Sequence, residues 1–358
     1  MKTPFAIVGC GRIGSRHAEH IDNFATLKAV CDIDPLKAKE LGEKYQVPYF
    51  TDMDEMLTSI PDVEVVSICT PNGLHADHTV STLRAGKNVV CEKPMALSVS
   101  DCWRMIGEAE KMDKHLFIVK QNRFNPPVQK LKSVIDQGIL GKVYSMQLNC
   151  FWNRNPQYYQ ESDWKGSIAL DGGILYTQFS HFIDLMYWFL GDVVKVSATA
   201  ANYCHQGMIE FEDTLVASME FASGALGTMN CTINSYKKNM EGSISIFAEK
   251  GTVKIGGQYL NVLEYQNIED HVIEDIEAHR PANDYGYYQG SMSNHDSVIK
   301  NVIDVLHHGG QIATNGYEGM KTVEIIEKIY ARVDQASRLS TATGIGNGVA
   351  RQDNRSDG

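Results

Sequence analysis

A Gly-x-Gly-x-x-Gly string occupies residues 9–14 and directly follows a short apolar run at residues 5–8. Glycines at this spacing permit a tight turn, let a phosphate approach the backbone and let a helix pack closely on a strand. A helix that begins there offers N–H donors and positive potential to an anion. Asp32 ends the next apolar run, about 20 residues further on, as in dinucleotide-binding turns. This context favours a dinucleotide site over the alternative, an ordinary strand-to-helix turn.

The first 120 residues alternate β-branched runs with helical patterns, which predicts a doubly wound parallel sheet with helices on both faces. The strand candidates are residues 5–8, 27–31, 63–69, 88–91 and 116–119. The helix candidates are residues 12–21, 35–45, 75–85 and 98–111. We therefore expect residues 1–120 to form one α/β domain.

Residues 121–340 have a different pattern, in which longer strand candidates follow one another with glycine-bearing turns. The predicted strands are residues 143–152, 194–200, 214–221, 225–233, 243–247, 252–255 and 261–265. The predicted helices are residues 174–190, ended by Gly191, and residues 316–337. Tight turns between successive strands predict a second, α+β domain with a large, mostly antiparallel open sheet. Residues 341–358 are polar and glycine-rich, and we expect a loosely ordered tail.

Composition restricts the partners and the compartment. With 43% hydrophobic residues and a net charge of -11, the chain is typical of globular proteins and unsuited to nucleic acid or an anionic membrane as its main partner. The N-terminus lacks a secretory signal, and no apolar run approaches the ~18 residues of a membrane span. Eight cysteines without a Cys-x-x-Cys pair predict reduced, buried thiols rather than disulfides or zinc. We expect a cytoplasmic protein with no bound metal.

Asp32 also indicates which dinucleotide binds. Its carboxylate would accept hydrogen bonds from the ribose hydroxyls and repel a 2′-phosphate, and no Arg follows immediately. The sequence therefore favours NAD over NADP.

Two further segments end predicted strands at the edge where an open parallel sheet binds its ligands. Thr70, Pro71, Asn72 and His75 follow one strand and could reach the nicotinamide half, although a turn followed by a helix start also explains them. Glu92, Lys93 and Pro94 follow the next strand. A Lys before Pro is held extended, and the bond between them could be cis. Most Lys residues are solvated surface groups, but this position directs Lys93 into a cleft.

The predicted helix at residues 174–190 carries Thr177, His181 and Asp184 at spacings that place them on one face. A histidine in so apolar a helix is more often a core residue. Together with Lys93, His181 could instead act as a general base in a cleft between domains.

These residues together resemble the glucose-fructose oxidoreductase, inositol dehydrogenase and rhizopine-catabolism (Gfo/Idh/MocA) family, over nearly the whole chain to about residue 335. The resemblance implies a Rossmann domain whose glycine-rich loop, Gly9, Gly11, Arg12, Ile13 and Gly14, binds NAD together with Glu92 and Lys93. It implies a catalytic Lys93 in Glu-Lys-Pro and a catalytic His181. The family commonly has Asp four residues before that His, whereas this chain has Thr177.

Several strings, such as residues 120–126, 164–166, 171–173 and 238–243, look like one branch of the family. That branch comprises the UDP-N-acetyl-2-amino-2-deoxyglucuronate 3-dehydrogenases (WlbA-like enzymes) of surface-polysaccharide biosynthesis. The resemblance implies a UDP-sugar acid as substrate, contacted by Asn122, Arg123, Arg154, Tyr159, Thr177, Gln178, His181 and Asn239. Arg123 and Arg154 suit an anionic substrate, since Arg can bind carboxylate or phosphate through two parallel hydrogen bonds, although structural roles remain open for both.

On this hypothesis His181 takes the proton of the 3-hydroxyl and Lys93 stabilises the developing alkoxide. The resemblance further implies homodimers or homotetramers and, as in some relatives, reoxidation of NADH by 2-oxoglutarate. Two alternatives remain. The same scaffold could oxidise inositol or another sugar, or the chain could be a non-catalytic NAD-binding regulator.

Overall fold

A computed structural model describes residues 2–277, 282–284, 286, 289–292 and 294–342. The strands are β1 (Pro4–Val8), β2 (Thr26–Cys31), β3 (Tyr49–Phe50), β4 (Val65–Ile68), β5 (Asn88–Cys91), β6 (Leu116–Ile118), β7 (Val143–Phe151), β8 (Val193–Ala201), β9 (Thr214–Phe221), β10 (Leu226–Thr232), β11 (Glu241–Ala248), β12 (Gly251–Gly256), β13 (Val262–Ile268), β14 (Ala282–Asp284) and β15 (Gln289–Met292). The α-helices are α1 (Arg12–Phe24), α2 (Pro35–Tyr45), α3 (Met53–Ser59), α4 (His75–Arg84), α5 (Val99–Lys111), α6 (Pro126–Asp136), α7 (Pro156–Gln160), α8 (Ile174–Thr177), α9 (Ser180–Leu190), α10 (His295–His308) and α11 (Gly316–Ala342).

The first half contains a six-stranded parallel sheet in the order β3-β2-β1-β4-β5-β6. This order reverses between β1 and β4, and ligands of open α/β sheets bind at such a reversal, beyond the carboxyl ends of the strands. The strands β4 and β5 are buried along their whole length, as expected for a sheet covered by helices on both faces. The predicted doubly wound domain is confirmed.

The second half contains a seven-stranded sheet in the order β13-β12-β11-β7-β10-β9-β8. All neighbours are antiparallel except β7 and β10, which run parallel. Helices α9 and α11 pack on this sheet. Its other face points outward with Val216 and Leu226, both more than half exposed, among small polar side chains. The predicted large, mostly antiparallel open sheet is confirmed.

Three features differ from the sequence-based expectations. The helix predicted at residues 174–190 is broken between α8 and α9, because the amides of both Gln178 and Phe179 bond to the carbonyl of Ile174. The last helix extends to Ala342, beyond the predicted end at residue 337, and residues 343–358 of the predicted tail lie outside the described residues. All eight cysteines are free as predicted, but Cys204 is exposed whereas the other seven are buried.

The C-terminal segment returns to the first half. Helix α10 packs on α1, and Ile299 and Val302 join the hydrophobic cluster of Phe5, Ile7 and Ile21. Helix α11 contacts α5, α9 and β8. The division at residue 120 remains a proposal, since the chain after residue 294 contributes to both halves. None of the described helices combines the length and the apolar character needed to cross a membrane.

Candidate functional site

A cleft of about 890 Å³ lies between the carboxyl ends of the parallel strands and the second half of the chain. Fifteen of the residues predicted from the sequence line it: Gly9, Gly11, Arg12, Ile13, Asp32, Thr70, Pro71, Asn72, His75, Glu92, Lys93, Arg154, Thr177, Gln178 and His181. The cleft therefore brings the residues predicted to bind the cofactor together with four predicted substrate contacts, Arg154, Thr177, Gln178 and His181.

The glycine-rich loop forms one wall of the cleft. Gly9 has a φ of +98°, and a Cβ there would lie 2.5 Å from the carbonyl oxygen of Cys69. A Cβ on Gly14 would lie 1.9 Å from the carbonyl oxygen of Gly9, so α1 could not otherwise pack so close to its own loop. A Cβ on Gly11 would meet nothing within 4 Å. The backbone at Gly11 is thus open on the side from which a pyrophosphate approaches the helix N-terminus.

Asp32 is held at the end of β2 by the backbone around it. Its two carboxylate oxygens accept the amide of Cys10 at 2.7 Å and the amide of Asp34 at 2.9 Å. Lys37, which lines the same end of the cleft, forms an ion pair with Asp34 at 3.3 Å. The arrangement suits ribose hydroxyls, and Lys37 is already paired with the carboxylate of Asp34.

Lys93 follows β5, and its peptide bond to Pro94 is cis, as the sequence allowed. The side-chain Nζ donates to the carbonyl oxygen of Thr177 at 2.9 Å. Burial lowers the pKa of Lys93 to about 8, because the charged ammonium loses hydration. Lys93 is therefore a partly buried cation that faces the second half of the chain.

Glu92 is the centre of a buried cluster behind Lys93. Its Oε1 lies 2.9 Å from His17 Nε2 and 3.3 Å from His295 Nε2, and its Oε2 accepts the amide of Lys93 at 3.0 Å. Burial opposes ionisation, but the two histidines hold the pKa of the Glu92 carboxyl well below its usual range. The ligand atoms of the cluster lie within 4.8 Å of one another, a spacing that a metal ion could also accept. The contacts of Glu92 with His17 and with the Lys93 amide already account for its position, as a support for Lys93.

His181 lies in the first turn of α9 and is 4% exposed. Burial, together with the nearby charge of Lys93, holds the pKa of His181 well below its usual range, so the imidazole is neutral near pH 7. Its Nε2 lies 3.4 Å from Gln121 Nε2, and its Nδ1 has no hydrogen-bond partner among the described residues. A neutral, buried imidazole beside a cation can accept a proton from a bound alcohol.

Thr177, Asn72 and Asp171 form a hydrogen-bonded group at the same place. The Thr177 hydroxyl donates to a carboxylate oxygen of Asp171, and Asn72 Nδ2 donates to Thr177 Oγ1 at 2.7 Å and to the carbonyl of Asp171 at 2.9 Å. Asn72 thus ties the first half of the chain to the second. His75 instead braces its own surroundings, since its ring nitrogens lie 2.7 Å from the carbonyl of Pro94 and 2.9 Å from that of Thr70.

Arg154 follows β7 and is directed into the cleft. Its Nε donates to Gln178 Oε1 at 2.8 Å and one terminal nitrogen donates to the carbonyl of Asn153 at 2.7 Å. The guanidinium also lies over the rings of Trp152 and Tyr158, at 4.9 Å and 5.2 Å from their centroids. These contacts hold the cation rigidly beside the space that a substrate would occupy.

The structure places Gly14 and four predicted substrate contacts outside the cleft lining: Asn122, Arg123, Tyr159 and Asn239. Arg123 makes two hydrogen bonds to Asp184, at 2.8 and 2.9 Å, and a third to Glu318. The sequence also placed Asp184 on the face of His181, but Arg123 and Lys120 bind that carboxylate elsewhere in the core. A substrate contact is therefore not supported for Arg123, whose guanidinium compensates a buried charge.

The other three are buried near the cleft without lining it. Asn239 accepts the amide of Asn153 at 2.8 Å and donates to Tyr259 at 3.1 Å, so it supports the segment that carries Arg154. Tyr159 packs edge-on against Tyr158, with 5.0 Å between ring centroids, and Tyr158 lines the cleft in its place. Asn122 lies in the short 3-10 helix Gln121–Phe124 and is buried.

Sequence reasoning missed several residues of the cleft. Tyr158, Glu161, Trp164 and Lys165 lie on one segment of the second half, where Lys165 Nζ sits 3.7 Å from the centroid of the Tyr158 ring. Glu161 pairs with Arg12 of the glycine-rich loop at 2.8 Å, so this segment is joined to the cofactor wall. From the sequence, residues 164–166 are distinguished only as a string typical of one branch of the family. His295 was missed because it comes from α10, more than a hundred residues after His181.

Two family models match the chain. One, described as "Oxidoreductase family, NAD-binding Rossmann fold", matches residues 4–120, and the other, "GFO/IDH/MocA C-terminal domain", matches residues 128–254. Among curated proteins, the myo-inositol 2-dehydrogenase of Thermotoga maritima is 30% identical over 256 residues, 69% of this chain and 73% of that enzyme.

Among the solved structures that resemble this chain are two dehydrogenases that each cover 94% of it. The WlbA dehydrogenase of Bordetella pertussis, in complex with NADH and UDP-GlcNAcA, is 33% identical with a TM-score of 0.85 and covers 94% of this chain and 98% of its own. The WlbA dehydrogenase of Chromobacterium violaceum, with the same two ligands, is 36% identical with a TM-score of 0.86 and covers 94% of each chain.

Proposed function

The chain belongs to the Gfo/Idh/MocA family of NAD-dependent oxidoreductases, and from this premise we propose that it oxidises the 3-hydroxyl of a UDP-sugar acid, UDP-N-acetyl-2-amino-2-deoxy-D-glucuronate, to the 3-keto sugar. The observation that carries the proposal is the convergence of Lys93 and His181, from opposite halves of the chain, on one cleft. Sites built from two domains are a common location for a dehydrogenase reaction.

The residues of the cleft fit the cofactor. Gly9 and Gly11 leave the backbone open to a pyrophosphate, and the N-terminus of α1 points to the same place. Asp32, directly after β2, would accept hydrogen bonds from the ribose hydroxyls. When bound, NAD supplies the hydride acceptor of the reaction. Arg12 and Glu161, paired at 2.8 Å, would cover that region from both sides.

His181 and Lys93 divide the work of activating the alcohol. Neutral at pH 7, His181 takes the proton of the 3-hydroxyl as a general base. Lys93 hydrogen-bonds the same oxygen and stabilises the negative charge that develops on it. Both interactions are stronger in a buried cleft than in water, because the effective dielectric constant is lower there.

The choice of a UDP-sugar acid is supported by the two WlbA structures, which hold UDP-GlcNAcA, and by cations in the cleft. Arg154 and Lys165 line it from the second half, although the chain as a whole is acidic. An anionic substrate would be held by such local groups, and Arg154 can bind a carboxylate or phosphate through parallel hydrogen bonds. Gln178 and Tyr158, hydrogen-bonded to each other at 2.7 Å, keep polar atoms beside Arg154.

A second candidate substrate is inositol, favoured by the 30% identity to the Thermotoga maritima enzyme. The test is to add UDP-GlcNAcA, UDP-GlcNAc and myo-inositol in turn to the purified protein with NAD and to follow NADH absorbance. We expect reduction of NAD with UDP-GlcNAcA alone. Turnover of myo-inositol with none of UDP-GlcNAcA would replace the proposed substrate, and tight NAD binding with no reaction of any sugar would favour a regulatory role.

Two further properties follow the resemblance rather than the cleft. We propose 2-oxoglutarate as the acceptor that reoxidises NADH, tested by adding it to the protein and looking for 2-hydroxyglutarate.

We also propose that the outward face of the seven-stranded sheet, which carries Val216 and Leu226, mediates association into dimers or tetramers. Mass measurement in solution, with Val216→Glu as the disrupting variant, tests this.

A further inference from the structure

A buried carboxylate, Asp171, acts on the charge of Lys93 although residue 177 is Thr. Asp171 is 2% exposed and lies in the turn before α8, outside any strand or helix. One of its carboxylate oxygens accepts the Thr177 hydroxyl and the other accepts the amide of Gly166 at 2.8 Å. The hydrogen bond from the Gly166 amide fixes the position of the carboxylate. The hydrogen bond from the Thr177 hydroxyl then links this carboxylate to a residue six positions later in the chain.

Thr177 is in turn the residue that holds Lys93. The helical hydrogen-bond pattern is interrupted between α8 and α9, and the carbonyl of Thr177 accepts a hydrogen bond from the Lys93 ammonium at 2.9 Å. Asn72 fixes the hydroxyl from the opposite direction by donating to Thr177 Oγ1 at 2.7 Å. One residue therefore has its side chain bound by Asp171 and Asn72 and its main chain bound by Lys93.

We propose that Asp171, acting through Thr177, is a positioning carboxylate of this site and supplies, beside Glu92, a second negative charge that keeps Lys93 charged and oriented. The family pattern described above has Asp at the position that Thr177 occupies in this chain. In this chain the carboxylate belongs to Asp171, six residues before Thr177, and the Thr177 hydroxyl is hydrogen-bonded to it. The inference rests on the proposed function only for the role of Lys93 in the reaction.

The charges around Lys93 set the direction of the effect. The negative charges of Glu92, the residue before Lys93, and of Asp171 raise the pKa of Lys93. The positive charges of Lys120 and Arg154 lower it. His181 and His75 also face this charge, and burial keeps both neutral at pH 7. Because burial has already lowered the pKa of Lys93 to about 8, loss of the Asp171 charge lowers it further into the neutral range.

The test measures Lys93 itself, without a substrate. The full-length protein is labelled with a small amine-reactive reagent over a range of pH, and the modification of Lys93 is followed by peptide mass spectrometry. In Asp171→Asn, which keeps the size of the side chain, we expect the midpoint for Lys93 labelling to fall by about one pH unit. Asp163→Asn is the matched control, since Asp163 is an exposed carboxylate on the same cleft, and its midpoint should stay at the wild-type value.

Substitutions of Thr177 test the route from Asp171 and also replace the first variant if it fails to fold. Thr177→Ser keeps the hydroxyl and should keep the wild-type midpoint. Thr177→Val keeps the shape but removes the hydrogen bond, and should move the midpoint in the same direction as Asp171→Asn. A midpoint that is unchanged in both Asp171→Asn and Thr177→Val, or equally shifted in Thr177→Ser and Thr177→Val, overturns the inference. Failure of every UDP-sugar to react would count against the proposed function and leave these midpoints as they are.

Discussion

The ammonium of Lys93 donates a hydrogen bond of 2.9 Å to the carbonyl oxygen of Thr177, a residue 84 positions later in the chain. This contact joins the carboxyl end of β5 to the break between α8 and α9, next to His181 in the first turn of α9. The proposed acid-base pair is thereby fixed by the junction of the two halves, so its geometry depends on how they meet.

Removing either member of this pair should stop turnover while sparing the cofactor site. We expect Lys93→Met and His181→Asn each to lower kcat by ~10²- to 10⁴-fold, because a positioned acid-base group is lost. NADH binding, followed by the thermal shift that it causes, should stay near the wild-type value. Lys39→Met, at an exposed position on α2, is the control. Near-normal rates in both variants with UDP-GlcNAcA would show that the assignment is wrong.

The rate should depend on pH through Lys93. Its pKa is lowered to about 8, so the ammonium predominates below that pH and is lost as the pH rises through it. If the ammonium stabilises the alkoxide, kcat/KM should fall above pH 8, since this ratio reports groups of the free enzyme. A decline that begins only near pH 10, the range of an ordinary lysine, would contradict this prediction.

Gly11→Ala should weaken NAD binding without harming the fold. A Cβ at this position meets no protein atom within 4 Å, but it projects where the backbone must admit a pyrophosphate. We expect at least a tenfold rise in the Kd of NAD, about 1.4 kcal/mol, measured by calorimetry. Gly107→Ala in α5 has the same free space and lies far from the loop, so it should bind NAD normally and gain about 0.5–1 kcal/mol of stability. Equal Kd values for the two variants would exclude a pyrophosphate contact at Gly11.

The two arginines predicted from sequence should behave differently. Arg123→Met leaves the buried carboxylate of Asp184 with Lys120 as its remaining cation, and we expect a loss of about 3–5 kcal/mol in the free energy of unfolding. The KM for UDP-GlcNAcA should change little in whatever fraction folds. Arg154→Met should instead raise KM at least tenfold. Urea unfolding and steady-state kinetics on both variants separate the roles, and a raised KM in Arg123→Met would restore it as a substrate contact.

Asp32→Asn should relax the choice of cofactor. The amide keeps an acceptor for the amides of Cys10 or Asp34 but removes the charge that repels a 2′-phosphate. We expect the preference for NAD over NADP to fall by about tenfold, as the ratio of the two Kd values. If both affinities change by the same factor, Asp32 does not discriminate between the cofactors.

The sequence predicted well wherever a function depends on neighbouring residues. The strand, the glycine string and Asp32 belong to one βαβ unit, and Lys93 ends a strand whose edge position follows from the alternation of helices and strands. Arg123 and Arg154 could not be told apart, because one faces Asp184 and the other faces the cleft only after the chain has folded. The same holds for Tyr158 and Tyr159, which are adjacent and differ only in direction.

The parts that were missed depend on contacts between distant residues. Asp171 lies in a turn, and its hydrogen bond with Thr177 is present only in the folded chain. His17 and His295 meet Glu92 from α1 and α10, which are almost three hundred residues apart in sequence. No periodicity or local motif reports such a meeting, so the buried support of Lys93 could be found only from the structure.

The return of α10 to α1 has a consequence for the newborn polypeptide. Phe5, Ile7 and Ile21 leave the ribosome well before Ile299 and Val302, which pack against them in the folded protein. Until then the nascent parallel sheet retains an apolar surface that invites chaperones or aggregation. A chain truncated before residue 295 should therefore accumulate in inclusion bodies even though its glycine-rich loop is intact.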